Sequence, residues 1–384
     1  MSFDFAVYWL ALLFSFFVAG CLVGALFAPP ARRALREIIR RVRRDLLFAR
    51  TVHNPVLSPG AHPWQAEAVL NPAAAAIGGR VHLLYRAIGG DGISRFGYAS
   101  SAGGILFDDR VSYPAYVCTA PTKGDLRLRH YSPVLYPSGG SWGGCEDPRM
   151  VVIEGKVYVT FNLFEDWVLR VGYITMSAED FAAKRFYNWE GPYILSHGAR
   201  DKNWVIFPQK FGGRFAVLHS VIGETPERVR IEYVEDLKML KFRKFESPDP
   251  QQAGDRRVAW HSHIRSAGPP PLPTEKGWLL FYHAHEPGDS RYKLGAMLLD
   301  LADPSKVIAR AAHPVLEPKE WYENEGKPGI VYACGAVIEG DMLYLYYGGA
   351  DKVVCVAFTA LAPFLKALLA GEELVFDSEP AQTA

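Results

Sequence analysis

Five times after residue 70 the chain repeats one unit: a glycine turn, a short apolar strand ending on a polar or aromatic residue, then a second strand. The first strands lie at 81–86, 157–162, 215–219, 278–283 and 342–347, after Gly79, Gly155, Gly213, Gly277 and Gly340. Their starts are 76, 58, 63 and 64 residues apart, and the second strands lie at 95–99, 170–174, 230–234, 292–297 and 353–357. Runs this short, rich in β-branched and aromatic residues and bounded by turns, are strands rather than helices. A repeat of about 60 residues carrying several strands marks a propeller blade, because one blade alone cannot bury both of its faces. A β-sandwich also supplies ten strands but does not predict the recurrence. The expected fold is therefore all-β, a five-bladed β-propeller over residues 51–384. Its connections include 113–144, far longer than a hairpin needs, and loops of that length usually carry function. Pro363 suits a first helical turn, so 362–369 reads as a short closing helix.

The N-terminus reads differently. Residues 5–28 are uncharged and long enough to span a hydrocarbon core of about 30 Å as a helix. Eight arginines follow, from Arg32 to Arg50, while only Asp4 precedes the run, the reverse of a signal peptide. The expectation is a single-pass transmembrane anchor over 1–30 and a basic amphipathic linker helix over 31–50. The positive-inside rule then places the propeller on the cytoplasmic side, with residues 5–28 in contact with membrane lipid. The remaining chain carries four more acidic than basic residues, which gives no nucleic-acid footprint. Five scattered cysteines fit no disulfide framework and no metal-ligand spacing, so neither a metal nor a cofactor is expected.

In a propeller, ligands sit at the central channel, where residues of several blades converge. The densest chemical segment is Gly144-Cys145-Glu146-Asp147-Pro148-Arg149. Pro148 removes a ladder donor, which argues against an ordinary strand interior, and it holds Asp147 extended. A carboxyl group in an enclosed channel can have its pKa raised and serve as a general acid. A structural Asp–Arg pair at a turn is the other reading of the same residues. Asn71 before Pro72, and Asp351 after two glycines, read equally as turn residues. Arg86, His219 and His283 end apolar strands, where a solvated terminus or a satisfied core histidine is the competing reading. Tyr282 reads as packing more than binding.

The ordered set of segments resembles glycoside hydrolase family 130. The segments are Asn54-Pro55-Val56-Leu57, Asn71-Pro72-Ala73, Leu84-Tyr85-Arg86-Ala87, the 144–149 motif, Phe207-Pro208-Gln209-Lys210 and Leu218-His219. They continue through Gly277-Trp278-Leu279-Leu280, Tyr282-His283, Leu299-Asp300-Leu301, 303–308, Tyr322-Glu323 and Tyr347-Gly348-Gly349-Ala350-Asp351. The likeness runs over about residues 52–360 and implies the same five-bladed fold. It implies inverting attack on a β-mannoside, with Asp147 as general acid acting through the sugar's 3-hydroxyl. In the family's phosphorylases inorganic phosphate is the nucleophile, a co-substrate rather than a cofactor. Asn71, Arg86, Glu146, Arg149, Tyr282, His283 and Asp351 are the implied substrate-binding residues. Arg170, Lys202 and His219 are the implied phosphate-binding cluster.

Two departures stand out: Ser220 follows His219 where an arginine is implied, and Asp201-Lys202-Asn203 replaces an Asn-Lys-Asp order. Hydrolytic members use glutamates to activate water, a part that Glu224 or Glu227 would take here. The expected function is phosphorolysis of a β-mannoside to mannose 1-phosphate, or the reverse synthesis. Hydrolysis, mannosyl transfer to a membrane-linked acceptor and non-catalytic glycan binding are the alternatives, and homo-oligomerisation stays open.

Overall fold

A computed structural model describes residues 48–118, 129–165, 168–196, 201–220, 228–243, 260–261, 263–285 and 288–370. The chain divides into two compact units, Met1–Ala49 and Arg50–Ala384, and the strand β1 (Ala49–Arg50) marks the boundary. The propeller is the second unit.

Its strands form five antiparallel meanders. Blade 1 is β2 (Ala68–Ile77), β3 (Arg80–Ile88), β4 (Ile93–Ser101) and β5 (Asp109–Arg110). Blade 2 is β6 (Gly143–Ile153), β7 (Lys156–Glu165), β8 (Val168–Ser177) and β9 (Glu190–Ile194). Blade 3 is β10 (Val205–Phe211), β11 (Arg214–Ser220) and β12 (Arg230–Val234). In blade 4, β13 (His263–Ala267) and β14 (Leu272–Thr274) both pair with β15 (Gly277–His285), followed by β16 (Lys293–Leu299) and β17 (Val307–Arg310). Three consecutive prolines, 269–271, divide β13 from β14, since proline cannot donate to the ladder. Blade 5 is β18 (Val331–Glu339), β19 (Met342–Gly349) and β20 (Val353–Ala360).

The repeat read from the sequence corresponds to the second and third strands of every blade. The second strands are largely apolar because both of their faces are mostly buried. Along β3, Leu83 and Tyr85 pack with Val337 and Tyr346 of blade 5, whereas Leu84 packs with Phe96, Phe161 and Val159 between blades 1 and 2. Along β11, Val217 joins Ile206, Tyr173 and Trp204, while Ala216 and Leu218 join Phe207, Trp278 and Tyr282. Alternate side chains thus feed successive blade interfaces, as a period of two requires. The ring closes where the first residues of this unit meet its last strand. Thr51 and Val56 donate backbone bonds to Val356 O (3.3 Å) and Val354 O (2.9 Å) of β20. Asn54 continues the pairing with its side chain, accepting from Val356 N (2.8 Å) and donating to Val356 O (2.9 Å).

The inner strands β2, β6, β10 and β18 lie against one another around the axis. Each inner strand breaks register at one place: Leu70/Ala73, Glu146/Arg149, Ile206/Lys210, Ile264/Ser266 and Ala333/Gly335. The 144–149 motif therefore lies within a strand but not in an ordinary strand interior, as Pro148 requires: Asp147 and Pro148 fall in the bulge, where proline and an unpaired residue are tolerated. Asn71-Pro72 and Asp147-Pro148 occupy the same bulge in neighbouring blades.

Leu361–Ala370 forms the closing helix α2, with α1 at Ala178–Ala182 capped by the Ser177 hydroxyl. At ten residues α2 is the longest helix described, and among the described residues no helix is long and apolar enough to cross a membrane. This corrects the expected single-pass anchoring, with its lipid contact and cytoplasmic-side propeller, which nothing in the structure supports. The apolar run 5–28 and the basic stretch 31–47 on which that expectation rested lie outside the described residues.

Candidate active site

Asp147 sits at the β6 bulge with φ 50°, left-handed and not in the extended backbone expected ahead of Pro148, and Asn71 sits at the β2 bulge with φ 47°. Both are buried. Left-handed backbone is uncommon outside glycine and favours Asn and Asp, so the bulges account for the residue types as well as their aim. Asn71 Nδ2 donates to Asp147 Oδ1 at 2.7 Å, and Arg86 Nη1 donates to the same oxygen at 3.2 Å. Gly348 of β19 makes room for Asn71: a Cβ there would stand 2.1 Å from Asn71 Oδ1.

Arg86, at the end of β3, is 1% exposed and uses its whole guanidinium. Nε donates to Ser94 Oγ (2.9 Å). Nη2 reaches Ser138 O, Ser141 Oγ and Glu146 Oε1, each at 2.7 Å. Glu146 accepts further bonds from Ser141 Oγ and Ser138 Oγ, both at 2.9 Å. Ser138 and Ser141 come from the long connection whose length marked it as functional. Arg149 crosses the axis. Its Nη1 holds Asp147 O (3.0 Å), Nε holds Gly268 O (3.1 Å) at the end of β13, and Nη2 lies 3.4 Å from Tyr332 Oη of β18.

These charges divide the two adjacent carboxyls. Burial pushes Asp147 up, but Arg86 and Arg149 and the Asn71 amide outweigh it and hold the group below the usual carboxylate range. For Glu146 burial prevails over Arg86, the charge of Asp147 adds to it, and the group is raised. The sequence suggested a raised pKa for Asp147 itself; the structure gives it to the neighbour. Asp351, with φ 53°, is also raised by burial, against the pull of Lys327 and Arg86. Lys327 Nζ lies 3.4 Å from Asp351 Oδ2 and donates to Pro137 O at 2.9 Å, tying blade 5 to the loop that carries Ser138.

His283 is fully buried and its ring is spent on structure. Ala333 N donates to Nε2 (3.0 Å), so Nδ1 carries the proton and donates to Ser266 Oγ (3.1 Å). Burial pushes its pKa down to about 3, with Arg149 adding to the shift. Its face stacks on Tyr332 at 3.9 Å. Tyr282 points the other way, into the core between blades 3 and 4, its hydroxyl 3.3 Å from His261 Nε2. The structure thus brings Asn71, Arg86, Glu146, Asp147, Arg149 and Asp351 together. It sets His283 behind them and Tyr282 apart. Tyr332, Ser94, Ser138, Ser141 and Lys327 escaped the sequence reading, because none sits in a charged or proline-marked motif.

The second cluster lies at the same end of blades 2 and 3. Asn162 is the cross-strand partner of Glu146, and its side chain clasps Asn203 through bonds of 2.9 and 2.8 Å. Lys202 precedes Asn203 and is exposed, as is Arg170, which pairs with Leu163 beside Asn162. His219 packs its ring against Trp204 at 5.7 Å, and burial with the charge of Arg230 pushes it down to about 4. Glu224 and Glu227 lie outside the described residues. Among the described residues no group of three His, Cys, Asp or Glu could hold a metal ion.

The family model described as beta-1,4-mannooligosaccharide phosphorylase, that of glycoside hydrolase family 130, matches residues 32–368. A 1,2-beta-oligomannan phosphorylase of Thermoanaerobacter sp. (strain X514) is 37% identical over 314 residues, covering 79% of this chain and 94% of that protein. A beta-1,2-mannobiose phosphorylase of the same organism is 32% identical over 327 residues, covering 81% and 96%. A solved structure was reported with the finding that this family of mannoside phosphorylases contains glycoside hydrolases targeting beta-1,2 mannosidic linkages in Candida mannan. It matches with TM-score 0.60 at 26% identity, covering 81% of this chain and 93% of that one.

Proposed function

We propose a function from the premise that this chain belongs to glycoside hydrolase family 130: it is an enzyme that cleaves β-mannosides by phosphorolysis, with inorganic phosphate as co-substrate. The substrate we assign is a β-1,2-linked mannoside, the linkage named for both phosphorylase relatives. The products are α-mannose 1-phosphate, by inversion, and the shortened sugar.

The observation that carries this reading is how the site's carboxylates are used. Glu146 is occupied by Arg86 and two serine hydroxyls, and Asp351 faces Lys327. Asp147, at the tip of the bulge, accepts from Asn71 and Arg86 on Oδ1, and its other oxygen serves the leaving group. Arg170 on β8, Lys202 ahead of β10 and His219 on β11 offer cations and donors suited to an oxyanion, which a water nucleophile does not require. A phosphate oxygen forms the bond to the anomeric carbon as the bond to the leaving oxygen breaks. The leaving oxygen takes its proton from Asp147, directly or through the sugar's 3-hydroxyl.

Asp147 is ionised at rest, so it needs that proton supplied with the substrates. Hydrogen phosphate brings one, and its negative charge raises the affinity of a nearby carboxylate for it. The proton on phosphate thus ends on the departing hydroxyl, and the balance closes without a separate base. The test is the synthetic direction. Mannose 1-phosphate with a mannose acceptor should yield β-mannobiose and release inorganic phosphate. Synthesis from a nucleoside-diphosphate mannose instead would replace phosphorolysis with transfer.

A further inference from the structure

We propose that Lys327 is a positioning residue for the substrate sugar, fixing from the β17–β18 connection both Asp351 and the 132–140 turn of the long loop ahead of β6. The inference rests on the phosphorolytic reading above, with Asp351 as a sugar-binding residue. It adds a residue that no motif in the sequence marks.

One ammonium carries both contacts. Lys327 Nζ donates to Pro137 O at 2.9 Å and lies 3.4 Å from Asp351 Oδ2. Its backbone is fixed to the turn that bears Asp351, because Lys327 N donates to Ala350 O at 2.9 Å. Gly326 permits that approach: a Cβ there would stand 2.8 Å from Ala350 O. The side chain thus starts beside residue 350 and reaches across to the loop between blades 1 and 2.

What it reaches is a turn closed on itself. Ser132 N donates to Gly140 O, Tyr136 N to Ser132 O and Gly140 N to Tyr136 O, each at 2.9 Å. Arg86 Nη2 takes the next carbonyl, Ser138 O, at 2.7 Å, so two successive carbonyls are held by cations from different blades. The turn lies over Arg86, where a Cβ on Gly139 would stand 3.4 Å from the guanidinium, and Ser138 Oγ reaches Glu146. Releasing Pro137 removes one of these two cationic anchors.

The same ammonium sets the charge of Asp351. The charged and titratable neighbours of that carboxyl are Lys327, Arg86 of β3, Asp147 of β6 and Tyr131 of the long loop. Burial and the Asp147 charge favour its protonated form, and Lys327 is the foremost cation opposing them. Ionised, the group is an acceptor only, suited to sugar hydroxyls; protonated, it turns one oxygen into a donor. Without Lys327 the carboxyl keeps its proton to higher pH.

The experiment measures steady-state phosphorolysis of β-1,2-mannobiose by the full chain, Lys327→Met and Lys327→Arg, with sugar and phosphate varied separately and pH varied from about 5 to about 8. The Lys327 side chain is 46% exposed, so both variants should fold. Lys327→Met should raise the KM for mannobiose about three- to ten-fold, with the KM for phosphate changed less than about two-fold. The acid limb of its kcat/KM for mannobiose should move to higher pH. Lys327→Arg keeps the charge and should lie nearer the unmodified protein in both respects. An unchanged mannobiose KM and acid limb in Lys327→Met, a parallel rise in both KM values, or an arginine variant as impaired as the methionine one overturns the assignment. Cleavage by the unmodified protein that ignores phosphate overturns the phosphorolytic reading itself, a separate result.

Discussion

Asn71 and Asp147 occupy the same bulge in adjacent blades, both in left-handed backbone, and the Asn71 amide donates to the Asp147 carboxylate at 2.7 Å. One structural device, repeated by the fold, thus supplies both the proposed acid and the group that aims it. Because the device is a bulge followed by proline, each residue escapes strand pairing and turns into the channel.

Asp147→Asn tests the acid while keeping its backbone and its shape. Asparagine accepts φ near 50° as readily as aspartate, so the chain should fold, with a thermal midpoint lowered by loss of the charge that faces Arg86 and Arg149. Turnover on an unactivated mannoside should fall by about 10²–10⁴, the usual worth of a positioned acid. Near-full turnover would remove Asp147 from the mechanism.

Arg86→Ala should act on stability as well as activity. Arg86 bonds both Glu146 and Asp147, and its loss leaves two buried carboxylates facing one another. Breaking a buried pair from one side costs about 3–5 kcal/mol, which urea unfolding would report. A loss under about 1 kcal/mol, the range of an exposed pair, would mean that water screens this cluster.

Gly348→Ala puts a Cβ against Asn71 Oδ1 and should push the amide off Asp147. The expected result is a turnover loss of about tenfold or more, from one charge-assisted hydrogen bond. The same substitution in an Asn71→Ala background should cost less, since the side-chain contact is gone and only the 2.9 Å approach to the backbone nitrogen of residue 71 remains. Equal costs in both backgrounds would place the effect elsewhere.

His283 sets a pH dependence. Its folded pKa is about 3, against about 6.5 when unfolded. Between those values the unfolded chain binds a proton that the folded ring refuses. Stability is therefore full above about pH 6.5 and is lost as pH falls towards 3. From about pH 7 to about pH 5 the loss from this residue is about 2 kcal/mol. Urea midpoints at the two pH values check it, and a flat profile would contradict the buried neutral ring.

The outer parts of the fold were legible because they obey local rules. Strands β3, β7, β11, β15 and β19 follow glycine turns and bury both faces, so they read as plain apolar runs. The inner strands were not, because their bulges and prolines mimic loops. Asp147 stands in β6, where Pro148 argued for a turn, and only the register of the whole blade resolves that conflict. Charged motifs exposed Arg86, Asp147 and Arg149. Tyr332 and the serines that hold Arg86 carry no such mark, and they meet the site only through contacts between residues far apart in sequence. The division of pKa between Glu146 and Asp147 likewise depends on where two arginines point.

If phosphate, not water, takes the mannosyl group under the direction of Asp147, phosphorus NMR of the protein with β-1,2-mannobiose and phosphate should show it directly. The expected result is an α-mannose 1-phosphate signal growing in step with free mannose, one for one. Cleavage should stop when phosphate is omitted and nearly vanish in Asp147→Asn. Two mannose molecules released per mannobiose, at the same rate without phosphate, would contradict phosphorolysis and make Glu224 and Glu227 the first residues to replace.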